Sequence, residues 1–336
     1  MNKVLTVVIP SYNVEKYLRD TLESFISDEI MPMIEILVVN DGSKDSTPEI
    51  AEEYVRKYPQ TFRLINKENG GHGSTINRGI EEALGKYFKV VDGDDWVNTE
   101  DFAELVRRLR STEADYVVTN YYKVNDRTKE KKLEDFPWFK ENPVTTFREA
   151  AYQSEIPMHA LVIRTEILQK NTIRLDEHCF YVDNEYITFP VPYVNTVQYF
   201  DLCVYMYRLA VATQSVSMKG FQKHLQDHVR VTLRLVDFAV EYEKTGGDKD
   251  KAVYLNNQAA IMVGDQAGIY ASFSASDKEI RRQFEEFDAV VKEKSRTIYE
   301  LSDSRSKMLH ALRKSGFKRY WFWTVLSKVR RRMRWK

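Results

Sequence analysis

Three aspartates, Asp92, Asp94 and Asp95, follow directly on the apolar run Tyr87–Val91. Carboxylates this close repel one another and raise each other's pKa unless a cation sits among them. Hard oxygen ligands at the end of a strand suit Mg2+ or Mn2+, ions that keep some of their waters and bridge phosphates. A helix N-cap is the plainer alternative, with Asp95 or Asn98 capping a helix that carries Phe102, Leu105 and Leu109. A cap accounts for one of the three carboxylates. Asp41 closes a second apolar run in Val38-Val39-Asn40-Asp41-Gly42-Ser43, where a carboxylate can accept from a base N–H or a ribose hydroxyl. An Asx turn with Gly42 competes with that reading. The run Asn69-Gly70-Gly71-His72-Gly73-Ser74 precedes a helix pattern, and its glycines let backbone N–H groups approach a phosphate. It lacks the lysine of a P-loop and the glycine spacing of a dinucleotide fingerprint, so a simple strand-to-helix turn fits it equally.

These residues need strands and helices to bring them together. Val4–Ile9, Ile34–Val39, Phe62–Ile65 and Tyr87–Val91 read as short buried strands, with helix patterns between them at Val14 to Ser27, Ser46 to Tyr58 and after the glycine run. Strands alternating with single helices imply parallel pairing and right-handed crossovers. The expected fold is α/β, a doubly wound and mostly parallel sheet with helices on both faces. Loops leaving the C-terminal strand ends then share one edge: Pro10-Ser11-Tyr12-Asn13, Asn40-Asp41-Gly42-Ser43 and Asp92-Gly93-Asp94-Asp95-Trp96. From about Lys219 helical periodicity takes over, through Val229–Tyr242, Ala252–Tyr270, Ile280–Ile298 and Arg305–Lys314.

Bulk properties agree with a folded enzyme-sized chain. It has 336 residues, 43% apolar and 12% aromatic, which excludes a disordered protein. The formal charge of +0 offers no basic surplus for nucleic acid. Cys179 and Cys203 are too few for a disulfide framework and fit a reducing compartment. The first apolar run ends at Pro10 and no run of 18 apolar residues occurs, so a cytosolic location is expected.

The order and spacing of Ile9-Pro10-Ser11-Tyr12-Asn13, Val39-Asn40-Asp41-Gly42-Ser43-Lys44-Asp45-Ser46-Thr47, Asn69-Gly70-Gly71, Asn77-Arg78-Gly79, Gly85-Lys86-Tyr87 and Asp92-Gly93-Asp94-Asp95 resemble the family 2 glycosyltransferases of GT-A fold. The motifs cover the first hundred residues; the likeness loosens from Ser111 to Ser217 and is not visible beyond. The resemblance implies a nucleotide-sugar donor, UDP-linked by expectation. Pro10 and Tyr12 would line the base pocket with Asp41 on the base edge, and Asn69 and Gly70 would border the donor. Asp92 would serve the ribose or a metal-bound water and Asp94 the Mn2+ or Mg2+, with Asp92 and Asp95 as further possible ligands. Where many members read Ala-Arg-Asn this chain reads Thr75-Ile76-Asn77, so a basic contact to the donor falls to His72 or Lys67.

Inverting members use one carboxylate to deprotonate the acceptor, in a Glu-Asp pair opening a helix. Here Val182-Asp183-Asn184-Glu185 puts Asp183 at the aspartate of that pair, with Glu185 the second candidate base. Helix starts favour acids in any case. Tyr207-Arg208 and Gln214-Ser215-Val216-Ser217 resemble the family's stretch that covers the diphosphate, while His224 and His228 share one helix face.

The expected organisation is a catalytic GT-A domain over 1–218 and a C-terminal helical region over 219–336. Its tail, 317–336, sets Trp321, Phe322, Val325, Leu326, Val329 and Met333 in one stripe among Lys318, Arg319, Lys328, Arg330, Arg331, Arg332 and Arg334. That is the pattern of a helix on a membrane surface, with a packed terminal helix as the alternative. The expected acceptor is a glycan or a lipid-linked oligosaccharide, with no nucleic-acid partner. A nucleotidyltransferase and a non-catalytic sugar-nucleotide binder are the rival functions; Pro-Ser-Tyr-Asn after strand one argues against the first, and the intact aspartates against the second.

Overall fold

The computed structural model describes residues 3–153, 155–209 and 217–326. The chain divides into two compact units, Met1–Thr213 and Gln214–Lys336.

Among the described residues the first unit holds one ten-stranded sheet. Its strands are β1 Leu5–Ser11, β2 Ile34–Asn40, β3 Phe62–Asn66, β4 Tyr87–Val90, β5 Trp96–Val97, β6 Tyr116–Asn125, β7 Lys131–Glu134, β8 Val144–Thr146, β9 Leu161–Arg164 and β10 Thr196–Leu209. They lie in the order β3-β2-β1-β4-β9-β6-β10-β5, with β7 beside β6 and β8 beside β10. Strands β3, β2, β1 and β4 are mutually parallel, as the alternation of strand and helix requires. Every residue of β1 and β2 is buried, the mark of strands covered on both faces. The helix His72–Glu82 lies so close to β1 that a Cβ on Gly79 would sit 2.3 Å from Val8 Cγ2. Only glycine fits that approach.

Beyond β4 the parallel pattern ends. The four-residue β9 runs antiparallel to both β4 and β6, β6 and β10 pair parallel, and β5 closes the edge antiparallel. The single-helix crossovers that make parallel pairing obligatory stop at β4, so the later strands join as a mixed sheet.

The second unit is helical: Met218–Lys223, Leu225–Lys244, Lys249–Tyr270, Lys278–Lys294, Arg296–Arg305 and Lys307–Lys314, with residues 320–326 also helical. The helix expected over Ile280–Ile298 breaks at Ser295, whose hydroxyl accepts from Ile298 N and caps the next segment. A Tyr270–Phe284 stack at 4.8 Å anchors this unit's core. No helix among the described residues is long and apolar enough to cross a membrane.

Candidate active site

Because β2, β1 and β4 are parallel neighbours, the loops that follow them emerge on one edge, and hydrogen bonds tie the first two together. Asn13 Oδ1 accepts from Lys44 N at 2.8 Å, Ser43 Oγ from Asn13 N at 3.0 Å, and the Glu15 carboxylate from Ser46 N at 2.9 Å. Asn13 makes these bonds at φ +53°, a region asparagine tolerates. Pro10 is paired with Val39 inside the sheet, and Tyr12 stands at the rim with 51% of its surface exposed.

Asp41 is buried and its carboxylate is already satisfied. Oδ1 accepts from Lys67 Nζ and Gly70 N, and Oδ2 from Gly71 N, all at 2.8 Å. Asn69 Nδ2 donates to the Asp41 carbonyl at 3.0 Å. Asp41 shapes the glycine loop, and the Asx turn that competed with its donor-contact reading lies instead at Asn40, whose Oδ1 accepts from Ser43 N at 3.0 Å. Lys67 is committed as well, since its ammonium also bonds Glu68 O at 2.6 Å and Ser74 Oγ at 2.8 Å. Of the two basic candidates, Lys67 pairs with Asp41 and His72 with Asp92.

The glycine loop has a second task. Its next helix grips the segment 175–178: Asn77 Oδ1 accepts from Leu175 N at 2.8 Å and Asn77 Nδ2 donates to Leu175 O at 2.9 Å. A Cβ on Gly73 would lie 2.1 Å from Asp176 O, so the contact demands glycine. Glu185 is fully buried and accepts from Asp176 N at 2.7 Å, bracing the same segment from within. This clamp carries the helix Asp183–Thr188 to the aspartate edge.

There Asp92, Asp94, Asp183 and His72 form one electrostatic cluster. His72 Nε2 and Asp92 Oδ1 are 2.8 Å apart. Burial opposes charge on His72, but Asp92, Asp183 and Asp94 outweigh it and raise its pKa. Burial would raise Asp92, yet the His72 imidazole more than offsets this and holds its carboxyl below the ordinary range. Burial and the Asp92 charge push Asp94 up to about 6, and burial raises Asp183 against the pull of His72. Asp95 differs from its neighbours. Its oxygens accept from Tyr205 Oη and from Arg208 N, both at 2.6 Å, and only 1% of the residue is exposed. The helix cap is Asn98, which accepts from Glu100 N and Asp101 N, so none of the three aspartates is spent on capping.

Sequence reasoning missed the framework behind this loop. The Arg208 guanidinium lies between Tyr17 and Trp96, 4.7 and 4.6 Å from their ring centres, and donates to Asp94 O at 2.6 Å and Asp126 Oδ1 at 2.7 Å. Lys89 in β4 is fully buried, donates to His159 O at 2.9 Å and faces the Tyr205 ring at 5.5 Å. Burial lowers its pKa to about 7. A lysine within Tyr87-Phe88-Lys89-Val90 was the available signal. Gln214, Ser215 and Val216 lie outside the described residues, while Ser217 caps Met218–Lys223. His224 and His228 bond Asp227 and Gln266 within the helical unit.

Among the described residues no group of three or more His, Cys, Asp or Glu side chains is placed to hold a metal ion. The donor set does suit an open site. Asp94 has no ion pair with a cationic side chain among the described residues, and burial, followed by the Asp92 charge, raises its pKa. A hard divalent ion held by one or two carboxylates and completed by water and phosphate matches that chemistry.

The sheet order and the acidic edge define a GT-A fold. Over 96% of this chain and 90% of the other, the structure matches S. aureus TarS 1-349 in complex with UDP-GlcNAc, with a TM-score of 0.65 at 20% identity. Residues 6–170 match the family described as Glycosyl transferase family 2. It is 42% identical to EpsH of Bacillus subtilis over 117 residues, 35% of this chain and 33% of EpsH. It is 32% identical to the minor teichoic acid biosynthesis protein GgaB of the same organism over 187 residues, 53% of this chain and 20% of GgaB. The chain thus spans a third or less of the length of these relatives.

Proposed function

We propose that this chain transfers a sugar from a UDP-sugar to a hydroxyl of a glycan or lipid-linked acceptor, with inversion at the anomeric carbon. The observation that carries the reading is the convergence of Asp183 with Asp92, Asp94 and His72 across some ninety residues of sequence. Asp94, with Asp92 beside it, would hold Mn2+ or Mg2+, which when bound neutralises the diphosphate leaving group. Pro10 and Tyr12 line the base side of the donor, and Asp41 supports it through the Asn69-Gly70-Gly71 loop it ties down. His72 orients Asp92 and places positive charge next to the diphosphate. Asp183 takes the acceptor proton as the acceptor oxygen attacks, and its raised pKa moves it toward the range a general base needs near neutral pH. One new glycosidic bond forms and the nucleoside diphosphate leaves.

The choice of UDP draws on the UDP-GlcNAc complex of TarS, and a wall-polymer acceptor draws on the name of GgaB. The setting we propose is the cytosol, at the inner face of a membrane; both cysteines are free thiols there. The test is a UDP-release assay over a panel of UDP-sugars with Mn2+, Mg2+ or chelator, and product configuration read by NMR. Release of UDP with a β-linked product from an α-linked donor supports the reading. Release of pyrophosphate would instead mark a nucleotidyltransferase, and tight UDP binding without donor consumption a non-catalytic binder.

A further inference from the structure

The helical unit carries an aromatic and basic surface that the transfer chemistry does not use. Its last described segment has two faces. Phe317, Tyr320 and Thr324 are buried; the Phe317 ring meets Phe284 edge-on at 5.0 Å, and Tyr320 Oη donates to Tyr270 O at 3.3 Å. Trp321 and Phe322 point the other way, 63% and 52% exposed, on consecutive residues. The described members of the expected stripe are thus exposed (Trp321, Phe322) or half-buried (Val325, Leu326), and the inner face that closes the unit's core is made by residues outside it. Val329 and Met333, the rest of that stripe, lie outside the described residues.

Charge surrounds the exposed pair. Lys314, Lys318 and Arg319 are exposed on the turns just before it. From Lys307 to the end the sequence holds eleven Lys and Arg and no Asp or Glu, in a chain whose total is +0. Six of the eleven fall within 327–336, outside the described residues. Arg313 is the exception, turned inward to Asp288 at 2.8 Å. Among the described residues, Lys314, Lys318 and Arg319 make no ion pair.

We propose that Trp321, Phe322 and the basic residues around them dock the protein on an anionic lipid bilayer. Indole and phenyl rings side by side on a helix suit the headgroup layer, where one edge of the ring is wet and the rest apolar. Each basic residue near such a surface strengthens binding by roughly fivefold, and the gain is lost as salt screens it. The buried inner face fixes the geometry: Tyr320 holds the helix to the folded unit, so the two aromatics enter shallowly while the unit stays outside the bilayer. The inference stands on the helical unit alone and survives any outcome at the aspartate edge.

Truncation at Phe317 would open the core, so point substitutions are the proper probe. Full-length protein is co-sedimented with vesicles of phosphatidylcholine and of equal parts phosphatidylcholine and phosphatidylglycerol, at low and high salt. The expected result is binding to the mixed vesicles only, reversed by salt. Trp321→Ala with Phe322→Ala should weaken it about tenfold or more, as should Lys318→Glu with Arg319→Glu. Both double variants should melt with the parent protein and consume donor in solution at its rate. The proposal is overturned if the parent ignores the mixed vesicles, if neither double variant changes binding, or if the aromatic variant melts early as a core mutant would. Binding to single-stranded RNA in preference to vesicles, or a dimer that the aromatic variant dissolves, would equally overturn it.

Discussion

Replacing Asp95 by alanine removes the acceptor of two buried donors, Tyr205 Oη–H and Arg208 N–H, each held at 2.6 Å. An orphaned buried donor costs roughly 1–3 kcal/mol. The sum is partly offset, because burial raises the pKa of Asp95 well above the carboxylate range and that desolvation cost disappears with the carboxyl group. The net expectation is a loss of about 2–4 kcal/mol, or about 4–16 °C in the melting midpoint for a unit of this size. Asp94→Asn, one residue away, should behave oppositely. Its carboxyl is pushed up to about 6 by burial and by Asp92, so an amide relieves repulsion and stability stays level or rises slightly. Calorimetric melting of the two variants beside the parent, with UDP binding measured on each, reads both effects. If Asp95→Ala melts with the parent, or Asp94→Asn melts as early as Asp95→Ala, the division between an anchoring aspartate and one without such anchors is wrong.

Asp183→Asn should lower transfer by about 10²–10⁴-fold while leaving UDP affinity unchanged, as removal of a general base would. Glu185→Gln should lower stability with transfer falling less than tenfold, a ratio read from paired melting and UDP-release assays; a larger transfer defect in Glu185→Gln would move the base. Gly73→Ala should lower kcat, because a Cβ 2.1 Å from Asp176 O must shift the segment that carries Asp183, and it should spare UDP binding. Lys89→Met tests a buried charge: the lysine titrates at about 7 in the fold against 10.5 when free, so unfolding takes up a proton between those values. Stability of the parent should therefore rise with pH from about 7 to about 10, by a few kcal/mol, and the methionine variant should lack that rise. Parallel pH profiles in urea unfolding would refute the assignment.

The parallel half of the sheet was legible because β1, β2 and β4 are unbroken buried runs separated by single helices, which admit one topology. The three strand-end loops followed from that topology, and three close carboxylates announced their own chemistry. Roles within the cluster were not legible. Asp95 is an anchor because Tyr205 and Arg208 arrive from β10, more than a hundred residues later, and no local pattern records that meeting. That Asp41 also ties down the glycine loop depends on Gly70 and Gly71 folding back onto it, which no local pattern records. The antiparallel β9 is four residues long, too short for its periodicity to show direction. In the tail, the helical period gave one stripe, but burial of Tyr320 and Thr324 between its members depended on a core built from distant helices.

The central claim is that the aspartate edge binds a nucleoside diphosphate through a divalent ion held at Asp94. Titration calorimetry with UDP, in Mn2+ and in chelator, on the parent and on Asp94→Asn, tests it directly. The account predicts UDP binding by the parent in Mn2+, a loss of at least about tenfold in chelator, and the same loss in Asp94→Asn with Mn2+ present. Equal UDP affinity in all conditions, or none in any, would contradict it.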